Sequence, residues 1–172
     1  TGVAGTGAKI YNSLAWVTLI NINDTNTIIE WLEIERTNQD GQNGIGFGWD
    51  STSSKVRNNL LYATNSQTTS IGISVIASDG PNSIVYNNVV YGFAIGIRNT
   101  GSGSTYHYNN TLYGDGRGFL NDGGTNPILK NTISMGNTTA DFSGVFPSGT
   151  SNNISSDATA PGTGSLTNKS VS

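Results

Sequence analysis

The dipeptide Asn-Asn recurs along this chain between short runs of β-branched and aromatic residues: Asn58-Asn59, Asn87-Asn88 and Asn109-Asn110, followed in phase by Asn131 and by Asn152-Asn153. The first asparagines of these units stand 29, 22, 22 and 21 residues apart. A near-constant period of this size marks a stack of structural repeats. Asparagine suits such a place because it tolerates the left-handed backbone region of a sharp bend, and its amide bonds to neighbouring backbone groups. Stacked rung on rung, Asn58, Asn59, Asn87, Asn88, Asn109, Asn110, Asn131 and Asn152 are expected to form a ladder.

A second column runs in the same phase: Gly72-Ile73, Gly96-Ile97, Gly118-Phe119 and Asp141-Phe142. Between the columns lie turn-rich segments such as Asp79-Gly80-Pro81-Asn82 and Asp122-Gly123-Gly124-Thr125-Asn126-Pro127, whose Gly, Asn, Asp and Pro residues suit tight turns. No segment carries the i, i+3, i+4, i+7 apolar spacing that a helix needs. The reading is therefore all-β: a solenoid of about six to seven coils of roughly 22 residues, each with three short strands paired in parallel to the next coil.

The expected inward set is Ile29, Leu32, Ile34, Val56, Leu61, Ile73, Val85, Val90, Ile97, Leu112, Phe119, Leu129, Ile133 and Phe142. Residues 28–170 carry the repeats. Residues 1–27 read as an additional coil of uncertain register, with Ile10, Leu14, Trp16, Leu19 and Ile22 as burial candidates. Tyr62, Tyr91 and Tyr113 form a further column, on the surface or inside. The whole reads as one domain spanning 1–172. Neither end shows an amphipathic helix or other polar-faced segment to cover the stack, so the chain is expected to be part of a larger protein or to stack on a partner.

Charge and composition exclude several functions. Eight basic and eleven acidic residues give a net charge of −3, and neither nucleic acid nor an anionic membrane surface is approached without a basic patch. The longest apolar stretch, residues 14–20, is far shorter than the roughly 20 residues a bilayer span requires. With no cysteine there is no disulfide framework and no thiolate nucleophile or ligand.

Through the Asn-Asn-x-x-Tyr units, Ile29-Glu30-Trp31-Leu32-Glu33-Ile34 and Asn152-Asn153-Ile154-Ser155-Ser156-Asp157, the chain resembles the right-handed parallel β-helix repeat family of the pectate-lyase-like superfamily. It is similar to the β-helix repeat proteins of bacterial and phage surfaces. The resemblance implies two enzyme chemistries: lyases, with calcium-binding acidic residues and an Arg or Lys base, and hydrolases, with paired aspartates near His-Gly and Arg-x-Lys segments. The hydrolase pattern is absent, since the chain has no Asn-Thr-Asp, Asp-Asp, His-Gly or Arg-x-Lys.

For a lyase, Glu33 and Glu35 would ligate calcium, with Arg36 or Arg57 as base; Glu30 completes this densest acidic group. The plain alternative is a solvated strand face with cross-strand Glu–Arg pairing. The lone His107 takes the place of Val56 and Val85 in earlier coils, the position of a hydrogen-bonded core residue. The Asp-Gly pairs at 40, 79, 115 and 122 read as turns rather than calcium loops, and no metal site is expected. The sequons at Asn23, Asn109, Asn137, Asn153 and Asn168 are expected by chance in so Asn-, Ser- and Thr-rich a chain.

Trp31, Trp49, Tyr86 and Tyr108 are candidate contacts for sugar rings, against plain packing as the alternative. The resulting expectation is a non-catalytic extracellular, cell-surface or virion module, a spacer or a surface contacting polysaccharide or cell-surface glycan, with no cofactor. The alternatives are a polysaccharide lyase, where calcium would enter, and a structural protein assembling end to end as a homo-oligomer.

Overall fold

A computed structural model describes residues 8–12, 17–37, 43–64, 69–76 and 82–170; Leu14, Trp16, Asp40 and Asp79 lie outside these. The first turn comprises β1 (Ala8–Asn12), β2 (Ile20–Ile22) and β3 (Ile28–Glu30). Four more complete turns follow: β4 (Leu32–Arg36), β5 (Asn43–Phe47) and β6 (Lys55–Arg57); β7 (Leu60–Ala63), β8 (Ile71–Val75) and β9 (Ser83–Tyr86); β10 (Val89–Tyr91), β11 (Ile95–Asn99) and β12 (Ser104–Tyr108); β13 (Thr111–Tyr113), β14 (Arg117–Asn121) and β15 (Asn126–Lys130). A sixth turn has β16 (Ile133–Met135), β17 (Ala140–Ser143) and a single bridge from Ser151 to Lys130 as its third side. Last comes β18 (Ile154–Ser155).

Every third strand pairs in parallel, giving sheet A (β1-β4-β7-β10-β13-β16-β18), sheet B (β2-β5-β8-β11-β14-β17) and sheet C (β3-β6-β9-β12-β15). The described residues form a parallel β-solenoid of five full turns with partial ones beyond. Among the described residues there is no helix, and so none long and apolar enough to cross a membrane.

Three interior columns follow from the registers. Sheet A stacks Ile10, Ile34, Leu61, Val90 and Leu112 before turning polar at Ser134 and Ser155. Sheet B stacks Ile20, Ile45, Ile73, Ile97, Phe119 and Phe142, and sheet C stacks Ile29, Val56, Val85, His107 and Leu129. Of the expected core, Ile29 and Leu32 are half-buried, as are Ile10 and Leu19; Ile22 is buried. Ile133 is a correction: it is 38% exposed, because Thr132 and Ser134 take the inward places on either side of it. Ile133 joins Leu60, Val89 and Thr111 on the outer face of sheet A. There Tyr62 and Tyr91 stack at 5.3 Å with planes 8° apart, which puts the tyrosine column outside.

Glycine in the second column has a steric cause. A Cβ at Gly96 would lie 2.5 Å from Asp115 Oδ2 and 2.7 Å from the Gly118 carbonyl oxygen, so no larger residue fits where the neighbouring side chain presses on sheet B.

The Asn-Asn units sit at the bend from sheet C to sheet A and divide into two roles. Asn58, Asn87, Asn109, Asn131 and Asn152 hold φ between 53° and 57° and form the outer corner. Their successors turn inward: Asn59, Asn88, Asn110 and Asn153 are at most 3% exposed. Backbone N–H groups donate to the side-chain oxygen one rung on, from Leu32 to Asn59 (3.0 Å), Asn59 to Asn88 (3.1 Å), Asn88 to Asn110 (3.1 Å) and Thr132 to Asn153 (3.0 Å). The side-chain NH2 groups donate back to earlier carbonyls, Asn88 to Val56 (3.0 Å) and Asn110 to Val85 (2.9 Å). Thr132 interrupts the column, and its Oγ1 is buried without a partner among the described residues.

Two substitutions of opposite sign test this ladder. Asn88→Leu takes the acceptor from the Asn59 N–H and should lower unfolding free energy by at least about 2 kcal/mol. Thr132→Asn restores the missing rung and should raise it by about 1 kcal/mol. Urea denaturation measures both.

Candidate functional site

The acidic segment singled out by sequence does not form one strand. Trp31, at φ 59°, occupies the corner position of the later asparagines, so Glu30 ends sheet C while Glu33 and Glu35 lie round the bend on sheet A. Arg57 pairs with Glu30 on the outer face of sheet C, Nε to Oε2 at 2.6 Å, and Nη1 donates to Tyr86 Oη at 2.7 Å. The expected cross-strand Glu–Arg pair is thus found, but Arg57 is not on the Glu33–Glu35 face.

Arg36 is a second correction. It continues the inward alternation of Leu32 and Ile34 and is fully buried, with Nη1 donating to the carbonyls of Val17 (2.6 Å) and Asn43 (3.3 Å). Burial draws its guanidinium below its usual value. An arginine in the interior is no base for a substrate on the outer face.

What the fold brings to Glu33 and Glu35 is Lys9 from β1 and Tyr62 from β7. Lys9 Nζ lies 2.7 Å from Glu35 Oε2 and 3.3 Å from Glu33 Oε1, and donates to Tyr62 Oη at 3.0 Å. Tyr62 Oη donates to Glu33 Oε1 at 2.7 Å. The Tyr62 hydroxyl and then Lys9 hold the Glu33 carboxyl below its usual value; Glu35 and then Tyr62 raise the Lys9 ammonium. Lys9 pulls the Tyr62 hydroxyl down, but Glu33, burial and the charge of both glutamates outweigh it, and the phenol ends above its ordinary value. Tyr62 is therefore a committed donor and a poor base. The Lys9 ammonium sits where a cation would bridge the two carboxylates, so these residues do not fit calcium. Among the described residues, no group of three or more His, Cys, Asp or Glu is arranged to hold a metal ion.

The aromatic candidates separate as well. Trp31 is 65% exposed at the bend from C to A, and Trp49 is 70% exposed on the segment after β5. Tyr86 and Tyr108 are register neighbours on sheet C, joined by Tyr106, whose ring lies 6.0 Å from that of Tyr108. The sequon asparagine Asn153 lies wholly within the buried ladder.

His107 is fully buried, edge-on to Phe119 at 4.8 Å. Its Nε2 lies 3.2 Å from Thr105 Oγ1, which donates to Asn99 Oδ1; Asn99 in turn donates to Asn121 Oδ1. Burial lowers its pKa to about 3. Asp115, also buried, accepts the Phe93 N–H at 2.8 Å through Oδ1, while Oδ2 has no partner among the described residues. Burial raises its carboxyl well above the usual range, against the smaller pull of the Phe93 N–H. Both are interior groups of the scaffold.

Comparison of the chain with protein-family models, with curated proteins and with solved structures finds no match.

The sign of the His107 effect is definite. The unfolded chain takes up a proton below pH about 6.5, whereas the folded state does so only near 3, so stability falls as pH drops through that window. Asp115 acts oppositely: its contribution is full in acid and is lost as pH rises through its elevated pKa. Because Asp115 is present in both proteins, comparing wild type with His107→Leu isolates the histidine. Between pH 7 and 4.5, wild type should lose about 2 kcal/mol more than the variant in urea titrations.

Proposed function

We propose that this chain is a non-catalytic extracellular, cell-surface or virion module, a diverged member of the pectate-lyase-like superfamily that serves as a stiff spacer whose outer faces contact neutral glycan. The observation that carries this reading is that Glu33 and Glu35, the best acidic pair on the surface, are held by Lys9 and Tyr62. A carboxylate in an ion pair and hydrogen-bonded to a phenol has little capacity left to bind calcium or take a proton from a sugar.

The surface supports the contact role. Charged residues are 11% of the chain, so the exterior is dominated by hydroxyls, amides and aromatic edges. Such groups match the hydroxyls and apolar ring faces of uncharged sugars. The exposed corner amides of Asn87, Asn109, Asn131 and Asn152 run beside sheet A, and Tyr86, Tyr106 and Tyr108 cluster on sheet C.

A glycan array and a turnover assay together test the proposal. Neutral glycans should bind, Trp49→Ala and Tyr108→Ala should each weaken that binding roughly threefold to tenfold, and acidic polysaccharides should remain intact with or without calcium. Turnover lost in Glu33→Gln would establish the lyase instead. A blank array would leave the spacer role alone.

A further inference from the structure

A parallel solenoid ends in three sheet edges, each a row of backbone donors and acceptors that would template another strand. Among the described residues, the segment after β18 meets all three sheets beyond β17, Ser151 and β18. β17 is the last strand of sheet B among the described residues, and two of its backbone donors are taken by side chains: the Asp141 N–H donates to Asp157 Oδ2 at 2.9 Å and the Phe142 N–H to Thr159 Oγ1 at 3.0 Å. The two side chains fix each other, since the Thr159 N–H donates to Asp157 Oδ1 at 2.9 Å and the Thr159 hydroxyl donates to the same oxygen.

Their loop is tied down from below. Asp141 Oδ2 accepts from the Ser156 N–H (2.5 Å), the Ser156 hydroxyl (2.7 Å) and the Asp157 N–H (3.1 Å). Ser155 Oγ donates to the Asp157 carbonyl at 2.7 Å and accepts the Ala160 N–H at 3.2 Å.

The same segment closes sheets C and A by backbone. Thr163 bridges Ser151 and Leu166 bridges Ile154, and the Asn153 N–H at the end of the asparagine ladder finds Ser165 Oγ at 2.9 Å. Pro161, Gly162 at φ 91°, Gly164 at φ 71° and Asn168 at φ 55° break this segment up, so it offers no continuous strand of its own. Beneath it, Phe146 closes the core against Phe119 at 5.9 Å and Phe142 at 6.5 Å.

The geometry points to a concealed association edge: Asp157 and Thr159 act as a guard that keeps β17 from accepting a strand of a second copy of this chain. The polar atoms they supply replace the carbonyl oxygens a docking strand would bring, and they do so from a loop too irregular to propagate pairing. End-to-end growth, one of the readings of the repeat, is therefore latent at this end and released when the guard is lost.

The test is sedimentation velocity of the full chain over a rising concentration series. Wild type should keep one sedimentation coefficient, whereas Asp157→Ala combined with Thr159→Val should at least double the weight-average mass at the top of the series. Thr159→Val alone frees only the Phe142 N–H and should give a smaller, same-signed shift, which decides the matter if the double variant fails to fold. A folded variant with the strand-type circular dichroism of wild type that stays monomeric would overturn the inference. So would a wild type that associates as strongly as the variants.

Discussion

The backbone N–H that points into the bend between sheets C and A has no carbonyl to meet, and the fold depends on a buried asparagine oxygen from the next rung meeting it. A corner interrupts the regular alternation of a parallel sheet, and a buried donor left alone there costs about 1–3 kcal/mol. Asn59, Asn88 and Asn110 answer that cost rung by rung, accepting from one neighbour and donating to the carbonyl of another. The asparagine before each one occupies the left-handed conformation that aims it inward. One residue bends the chain and the next bonds it, which is why they come as pairs.

Around that corner the interior divides by chemistry. Ile, Leu, Val and Phe fill the three columns over most of the stack, while Asn99, Thr105, His107 and Asn121 form a polar chain between sheets B and C. Burial disfavours the charged forms of the interior His107 and Asp115, lowering the one pKa and raising the other. Outside, Glu30 pairs across strands with Arg57, and Glu33 and Glu35 with Lys9. The same stacking that builds the solenoid thus also brings these particular surface charges into pairs across strands.

The repeat was legible because both columns recur in one phase and their residue types have a mechanical reason to be there. Gly96 must be small and Asn88 must bond, so these residue types recur in both columns over most of the stack. Legibility failed where one residue type stood in for another. Trp31 makes the bend that asparagine makes elsewhere, and it hid the break between Glu30 and Glu33. Ile133 looked like core because it is apolar, although Thr132 and Ser134 hold the inward places. Arg36 looked like surface because it is charged, although the alternation of Leu32 and Ile34 already pointed it inward. Lys9 and Tyr62 meet Glu33 only through the register of the first turn, which no motif announces. The edge guard was missed for a related reason: it is built from single Asp and Thr side chains, with no helical period to reveal it.

The most direct measurement is hydrogen exchange of the side-chain amide protons, resolved by NMR. If the ladder exists as described, the Asn88 and Asn110 side-chain NH2 protons are strongly protected and exchange only through global unfolding, while that of the corner residue Asn109 exchanges at the rate of a solvated amide. Equal, unprotected exchange at Asn88, Asn110 and Asn109 would contradict the ladder and the solenoid register built on it.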